Sequence, residues 1–257
     1  MSYTTTGASH HRGVANEHKL IKKLREIATE LFPQLNTPFV VKHKGGTANK
    51  ADIEIDDGTQ VIKISAKVKT NIKVGSYDHV NTSKALAFDI FEDLKSCAAR
   101  LDGSGWEKER ARKHFNLNSH RTMRRIPSAM IKKILVDHVA AKNKEMTIIL
   151  GDEKTGKHYV FKFKDTPLYE SIMKDTPVLD WGANRNGNQQ TSVKIVFHSP
   201  SDGTVKDHGL RGRLVLNNGV GALVGTEKHS VPVFKVQQDS VIRTIEQIPK
   251  EKVQIFT

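Results

Sequence analysis

Lys50-Ala51-Asp52-Ile53-Glu54-Ile55-Asp56-Asp57-Gly58-Thr59-Gln60-Val61-Ile62-Lys63-Ile64-Ser65-Ala66-Lys67 decides how the front half of the chain is read. Its alternation predicts two strands, over 51–56 and 60–68, joined through Asp57-Gly58, a strong hairpin signal. Side chains alternate along a strand, so Asp52 and Glu54 share one face of the first, and Lys63, Ser65 and Lys67 share one face of the second. If the two faces coincide, carboxylates and a lysine meet in one small volume.

Working outward, apolar Leu20, Ile21, Leu24, Ile27, Ala28 and Leu31 recur at helical spacing and predict a helix from about Val14 to Phe32, ended by Pro33. Residues 1–12 read as a flexible tail. Phe39 to Val41 reads as a short strand and His43 to Thr47 as a loop. Beyond the hairpin, 70–81 reads as a polar loop, and a helix starts near Thr82. Basic helical segments follow at about 106–115 and 128–142, either side of the arginine-rich Ser119 to Pro127. After Lys144 the pattern turns to strands: 146–150 and 158–164 as a hairpin, a short helix at 167–174, then strands at 192–198, 210–216, 220–224, 231–236 and near the C-terminus. The expectation is an α/β chain in three parts: the tail, a core with basic helices over 13–144, and a β-rich part over 145–257.

The bulk properties narrow the partners. The 257 residues carry 41 Lys and Arg against 28 Asp and Glu, a net charge of +13, which favours a polyanionic partner through long-range attraction and counterion release. The excess is concentrated: Glu107 to Lys133 holds nine Lys or Arg and two acids. That stretch lacks the bulky apolar face of an interfacial helix, and no apolar run reaches membrane-spanning length, so no membrane partner is expected. Cys97 is the only cysteine, which excludes an intrachain disulfide framework. A cytoplasmic, intracellular location is the expectation.

A carboxylate pair beside a lysine is what metal-assisted phosphodiester cleavage needs: acids for a hard divalent cation, and a lysine to position a water or stabilise developing negative charge. Glu17 extends the apolar stripe of the first helix, where a carboxylate facing a core needs a partner such as a metal or the lysine; on helical spacing alone a solvent-accessible first-turn glutamate stabilised by the helix dipole is the favoured reading. Gly151 to Lys157 has the spacing of a phosphate-binding loop, but His158 takes the Ser/Thr position and the segment joins two strands, so a hairpin turn is the reading.

The order of these parts resembles the PD-(D/E)xK nuclease superfamily, especially type II restriction endonuclease-like and archaeal Holliday-junction-resolvase-like members. Arg12-Gly13-Val14-Ala15-Asn16-Glu17 resembles the Arg-Gly-x-x-x-Glu opening of the family's first core helix. Lys50-Ala51-Asp52 stands where the family has Pro-Asp, and Ser65-Ala66-Lys67 where it has (Asp/Glu)-x-Lys. The resemblance covers residues 12 to 95 and implies a restriction-endonuclease-like core, a mixed central sheet flanked by helices. It implies Asp52 as metal ligand, Lys67 at the attacking water, and Glu17 as an accessory ligand, with Glu54 available to complete the shell around Mg²⁺ or Mn²⁺. Ser65 replaces the second acid; a hydroxyl is a neutral, weaker ligand.

The function so implied is a metal-dependent endonuclease of double-stranded DNA, sequence-specific in the restriction manner, with a homodimer suited to cutting both strands. The alternatives are a non-catalytic DNA binder on a degenerate nuclease fold, and a junction-selective nuclease. For DNA contact, Lys69, Lys73, Ser76, His79 and Asn81 of the loop after the lysine strand suit phosphates. Arg121, Arg124 and Arg125 suit backbone contact by charge. Asn184, Arg185 and Asn186, with Arg211 and Arg213, are the forked polar side chains suited to base edges.

Overall fold

The computed structural model describes residues 8–44, 51–69, 77–78, 126–181, 193–217, 223–224, 227–228, 231–238 and 245–257. The described residues fall into two compact units. One draws on 1–75, 142–169 and 242–257, the other on 76–141 and 170–241. The expected break at 144/145 lies close to one of these boundaries, but the chain crosses more than once. The hairpin after Lys144 and the C-terminal strand extend the first unit's sheet, and most of the strands between them build the second.

In the first unit, α1 (Ala8–Leu31) lies over a mixed sheet. The helix starts inside the expected tail, six residues before Val14. It ends where the Phe32 amide makes its bond to the Ala28 carbonyl at 2.8 Å, just before Pro33, which has no amide hydrogen to give. Its apolar stripe is buried, with Leu24 and Ala28 fully inaccessible. Leu24→Ala there would cost about 2–5 kcal/mol.

Beneath it run β1 (Val40–His43), β2 (Ile53–Asp56) and β3 (Val61–Lys69), an antiparallel meander. The sheet continues with β5 (Thr147–Asp152), parallel to β3, then β6 (His158–Lys162) and β13 (Gln254–Phe256), both antiparallel to their neighbours. The six strands stand in the order β1-β2-β3-β5-β6-β13. Val41, Ile53, Ile55, Ile64, Ile149 and Val160 all join the core formed with α1. Because strands alternate, that settles which residues take the opposite face: Lys42, Glu54, Asp56, Lys63, Ser65 and Lys67.

The β2–β3 connection is made by its acids. Gly58 has φ +84°, in the left-handed region that favours glycine. Asp57 Oδ1 accepts from the Thr59 and Gln60 amides, each at 2.8 Å, and Asp57 Oδ2 from the Asn36 amide at 2.9 Å. These bonds, the Asn36 one first, hold the Asp57 carboxyl well below the usual carboxylate range. Gly151 to Lys157 forms the turn of the β5–β6 hairpin, since Gly151 and His158 face each other in the ladder. On β6, the His158 ring stacks on Phe256 of β13 at 4.7 Å, and the Lys23 ammonium of α1 sits 5.2 Å from the Phe256 ring centre. Burial first, then the nearby Lys23 charge, pushes the His158 imidazole below its ordinary pKa.

The second unit is built on a five-stranded antiparallel sheet of β4 (Tyr77–Asp78), β7 (Thr176–Asp180), β8 (Val193–His198), β9 (Val205–Asn217) and β12 (Val231–Gln238), ordered β4-β12-β9-β8-β7. A short ribbon pairs β10 (Leu223–Val224) with β11 (Glu227–Lys228). Helix α2 (Ser128–Ile134), which continues as a π-helical segment Leu135–Ala140, packs against β7. Helix α3 (Pro167–Lys174) is tied to β9 through polar groups: His208 Nε2 lies 2.9 Å from Ser171 Oγ, and Lys206 Nζ donates to Asp175 Oδ2 at 2.9 Å. Burial pushes the His208 imidazole down as well.

Strand β7 was not anticipated; its Thr-Pro-Val-Leu-Asp sequence carries a proline that weakens the strand signal. Tyr77–Asp78, expected in a loop, instead pairs with β12. The segments expected near Thr82 and at 106–115 lie outside the described residues. No described helix is long and apolar enough to cross a membrane.

Candidate functional site

Asp52 precedes β2, yet its backbone is already fixed on both sides. The Lys44 amide donates to the Asp52 carbonyl and the Asp52 amide to the Ile64 carbonyl, each at 2.9 Å. This adds one row to the ladder and aims the Asp52 side chain onto the face away from α1. There its Oδ2 accepts the Ala66 amide at 2.8 Å, the Ser65 hydroxyl at 3.2 Å and the Lys67 ammonium at 3.4 Å. The expected convergence of Asp52, Ser65 and Lys67 is therefore present. Ser65 is buried, while the Asp52 and Lys67 side chains remain 22% and 29% exposed, enough for a ligand to reach them.

The other acids go elsewhere. Glu54 is on the same face as Asp52, but its Oε2 lies 3.2 Å from Lys44 Nζ. Further along, Lys42 Nζ donates to Asp56 Oδ2 at 3.0 Å. This face of the meander is thus a ladder of cross-strand ion pairs, Lys42–Asp56, Lys44–Glu54 and Lys67–Asp52. Opposite charges across neighbouring strands stabilise each other. The Lys42 pairing and the Gly58 amide keep the Asp56 carboxyl below its usual range, the amide contributing most.

Glu17 lies well inside α1, not in its first turn, because the helix begins at Ala8. Its partner is neither a metal ligand nor Lys67: His43 Nε2–H donates to Glu17 Oε2 at 2.6 Å, and the His43 ring lies 4.9 Å from that of His18. His43 shares the face of Val41, toward α1, so the pair gives a partly exposed carboxylate its donor.

His43 and Lys44 are the residues that sequence reading missed. They continue the Val40-Val41 strand, and carrying the alternation of β1 two residues further would have placed Lys44 on the face of Asp52 and His43 on the side of α1. Lys69, expected in the departing loop, ends β3. Arg211 and Arg213 lie on β9, in the second unit. Lys73, Ser76, His79, Asn81, Arg121, Arg124, Arg125, Asn184, Arg185 and Asn186 lie outside the described residues.

No protein-family model, no curated protein and no solved structure matches the chain. Among the described residues no three His, Cys, Asp or Glu side chains stand together as a metal cage. A cage is not what Mg²⁺ asks for, since it keeps several waters and takes one or two carboxylates together with substrate phosphates. Asp52 suits that mode. Its Oδ2 takes all three donors, and among the described residues none reaches Oδ1. One carboxylate oxygen beside a serine hydroxyl fits a water-rich cation shared with a phosphate; it does not fit a cation held by protein alone.

Proposed function

We propose that this protein is a divalent-cation-dependent endonuclease of duplex DNA, built on a restriction-endonuclease-like core. One observation carries the reading: Asp52, Ser65 and Lys67 converge on a single carboxylate oxygen, on one sheet face. The antiparallel meander followed by a parallel strand agrees with that core. The net charge of +13 agrees with a polyanionic substrate.

In this reading the chain's own groups divide the work. The Ala66 amide and Ser65 hydroxyl lock the orientation of Asp52, whose carboxylate would hold a phosphate-bound cation. Lys67, 3.4 Å from the same carboxylate, draws the phosphate in and orients the attacking water toward phosphorus. As the P–O bond breaks, its ammonium faces the growing negative charge. The cation, when bound, supplies Lewis acidity and lowers the pKa of a water. The rigidity of the strand pair fixes these groups before substrate arrives, which is where much of the rate advantage of such a site arises.

The second reading, a DNA binder that does not cut, has its own support. Glu54 is held by the Lys44 ammonium and Glu17 by the His43 ring, and Ser65 stands where a second acid would serve. The test is incubation of a phage-length duplex with the protein in Mg²⁺ and in EDTA, beside a four-way junction of the same total length. Discrete Mg²⁺-dependent fragments support the endonuclease. Salt-sensitive binding with intact DNA supports the binder, and cutting confined to the junction points to the structure-selective enzyme.

A further inference from the structure

Strand β3 presents Lys63, Ser65 and Lys67 in succession on the face away from α1, and its two cations stand in opposite circumstances. Lys67 has an acid, with Nζ 3.4 Å from Asp52 Oδ2. Lys63 faces Glu54 of β2 in the register, and Lys42 of β1 faces the same glutamate from the other side. Glu54 serves neither: its Oε2 lies 3.2 Å from Lys44 Nζ, and Lys42 Nζ goes to Asp56 Oδ2 at 3.0 Å. Lys42, Lys44 and Lys67 are therefore matched, whereas the exposed Lys63 has no hydrogen bond or ion pair among the described residues. An exposed lysine is commonplace; the place of this one is not. The register runs on from Ile53 opposite Ile64 to Asp52 beside Ser65. That makes Lys63 the diagonal neighbour of Asp52, about 7–8 Å away and within reach of a long side chain. Successive phosphates of one DNA strand advance by about 3.4 Å along the helix axis. A phosphate at Asp52 thus has a neighbour where Lys63 can meet it.

We propose that Lys63 anchors the phosphate next to the scissile one and so sets the register of the DNA strand over Asp52. The inference rests on the endonuclease reading above and adds which group of this face grips the strand. Lysine suits the role: its ammonium is a compact point charge on a flexible stem, with three donors that meet phosphate oxygens from several directions. Such a contact positions the strand and reads no sequence. Lys67 does not take it over, because its ammonium is drawn to Asp52 and, in the reading above, faces the scissile phosphate. Since no acid among the described residues holds Lys63, its contact with a phosphate breaks no ion pair there.

The test is binding of a short duplex by the full chain in Ca²⁺, which suppresses cutting, across a salt series, joined to steady-state cleavage in Mg²⁺. Lys63→Gln and Lys63→Arg are compared with wild type and with Lys22→Gln, an equal loss of charge at an exposed position of α1. In Lys63→Gln the slope of log affinity against log salt is expected to fall by about 0.9, the share of one phosphate contact. Its KM should rise more than its kcat falls, since the contact is made before and during the reaction. Lys63→Arg keeps the wild-type slope, and Lys22→Gln changes neither slope nor KM. Melting temperatures close to wild type confirm that the exposed substitutions leave the fold intact. A Lys63→Gln slope equal to wild type overturns the proposal and leaves the endonuclease reading standing if wild type cuts in Mg²⁺. An equal fall in Lys22→Gln also overturns it, because net charge and not position would then set the slope. A wild type that neither binds nor cuts DNA overturns both.

Discussion

Two sheet faces of this molecule handle charge in opposite ways. On the first unit's meander, every described acid of the outer face has a cation across the strand: Asp56 with Lys42, Glu54 with Lys44, Asp52 with Lys67. On the second unit's sheet, the register instead sets Lys194 against Arg211 and Arg213 against Lys235. The first arrangement is satisfied internally and gains precision from it. The second brings like charges together through its register, and Asp207 answers Lys194. Chemistry needs fixed groups, so the proposed cutting falls to the first face.

The largest expected effect breaks the first face. Asp52→Ala or Lys67→Ala lowers Mg²⁺-dependent cleavage about a thousandfold or more, because several kcal/mol of transition-state stabilisation go with the group. Lys67→Ala should barely change stability, since a partly exposed ion pair contributes about 1 kcal/mol or less. Asp52→Ala also takes the acceptor from the Ala66 amide and the Ser65 hydroxyl and costs about 1–3 kcal/mol. Thermal melts of the variants check that half of the statement.

Ser65→Glu sharpens the same face. Two carboxylates side by side repel in EDTA, so the melting temperature drops; a divalent cation then binds more tightly and restores it. At a cation concentration of ten times Kd the recovery is about 1.4 kcal/mol. A Ser65→Glu protein whose melting is indifferent to Mg²⁺ would show that position 65 does not border a cation site.

On the second face the expected change in stability runs the other way. Arg213 stands opposite Lys235 in the register, so Arg213→Thr or Lys235→Thr is expected to stabilise the protein by about 0.2–1 kcal/mol. Urea unfolding reads the gain. A loss of stability instead would mean that these cations already have partners inside the fold.

The smallest effect is on pH dependence. Burial depresses the imidazole pKa of His158 in the first unit and His208 in the second. A depressed histidine binds fewer protons folded than unfolded, so its contribution is complete above about pH 6.5 and declines as the pH falls through that value. Unfolding free energy should therefore decrease from pH 7.5 to 5.5, and His158→Gln or His208→Gln should flatten part of the slope.

The catalytic half of this account was legible in the sequence because its signals are local. Alternation in 51–68 and Asp57-Gly58 place Asp52, Ser65 and Lys67 without knowledge of any distant contact. The short helix at 167–174 was legible for the same reason. Glu17 was legible as a carboxylate needing a partner, but the partner, His43, depends on α1 crossing β1, which no local pattern encodes. The opposed cations of the second sheet were hidden more deeply. Arg213 and Lys235 are far apart in the chain and meet only through the register of β9 with β12, which depends on a fold that returns strands from both sides of the sequence.

The most direct measurement follows one DNA duplex with wild type and Asp52→Ala, scoring bound and cut fractions in the same Mg²⁺ samples. The account predicts that Asp52→Ala binds like wild type and does not cut. Cleavage by Asp52→Ala at the wild-type rate would contradict it.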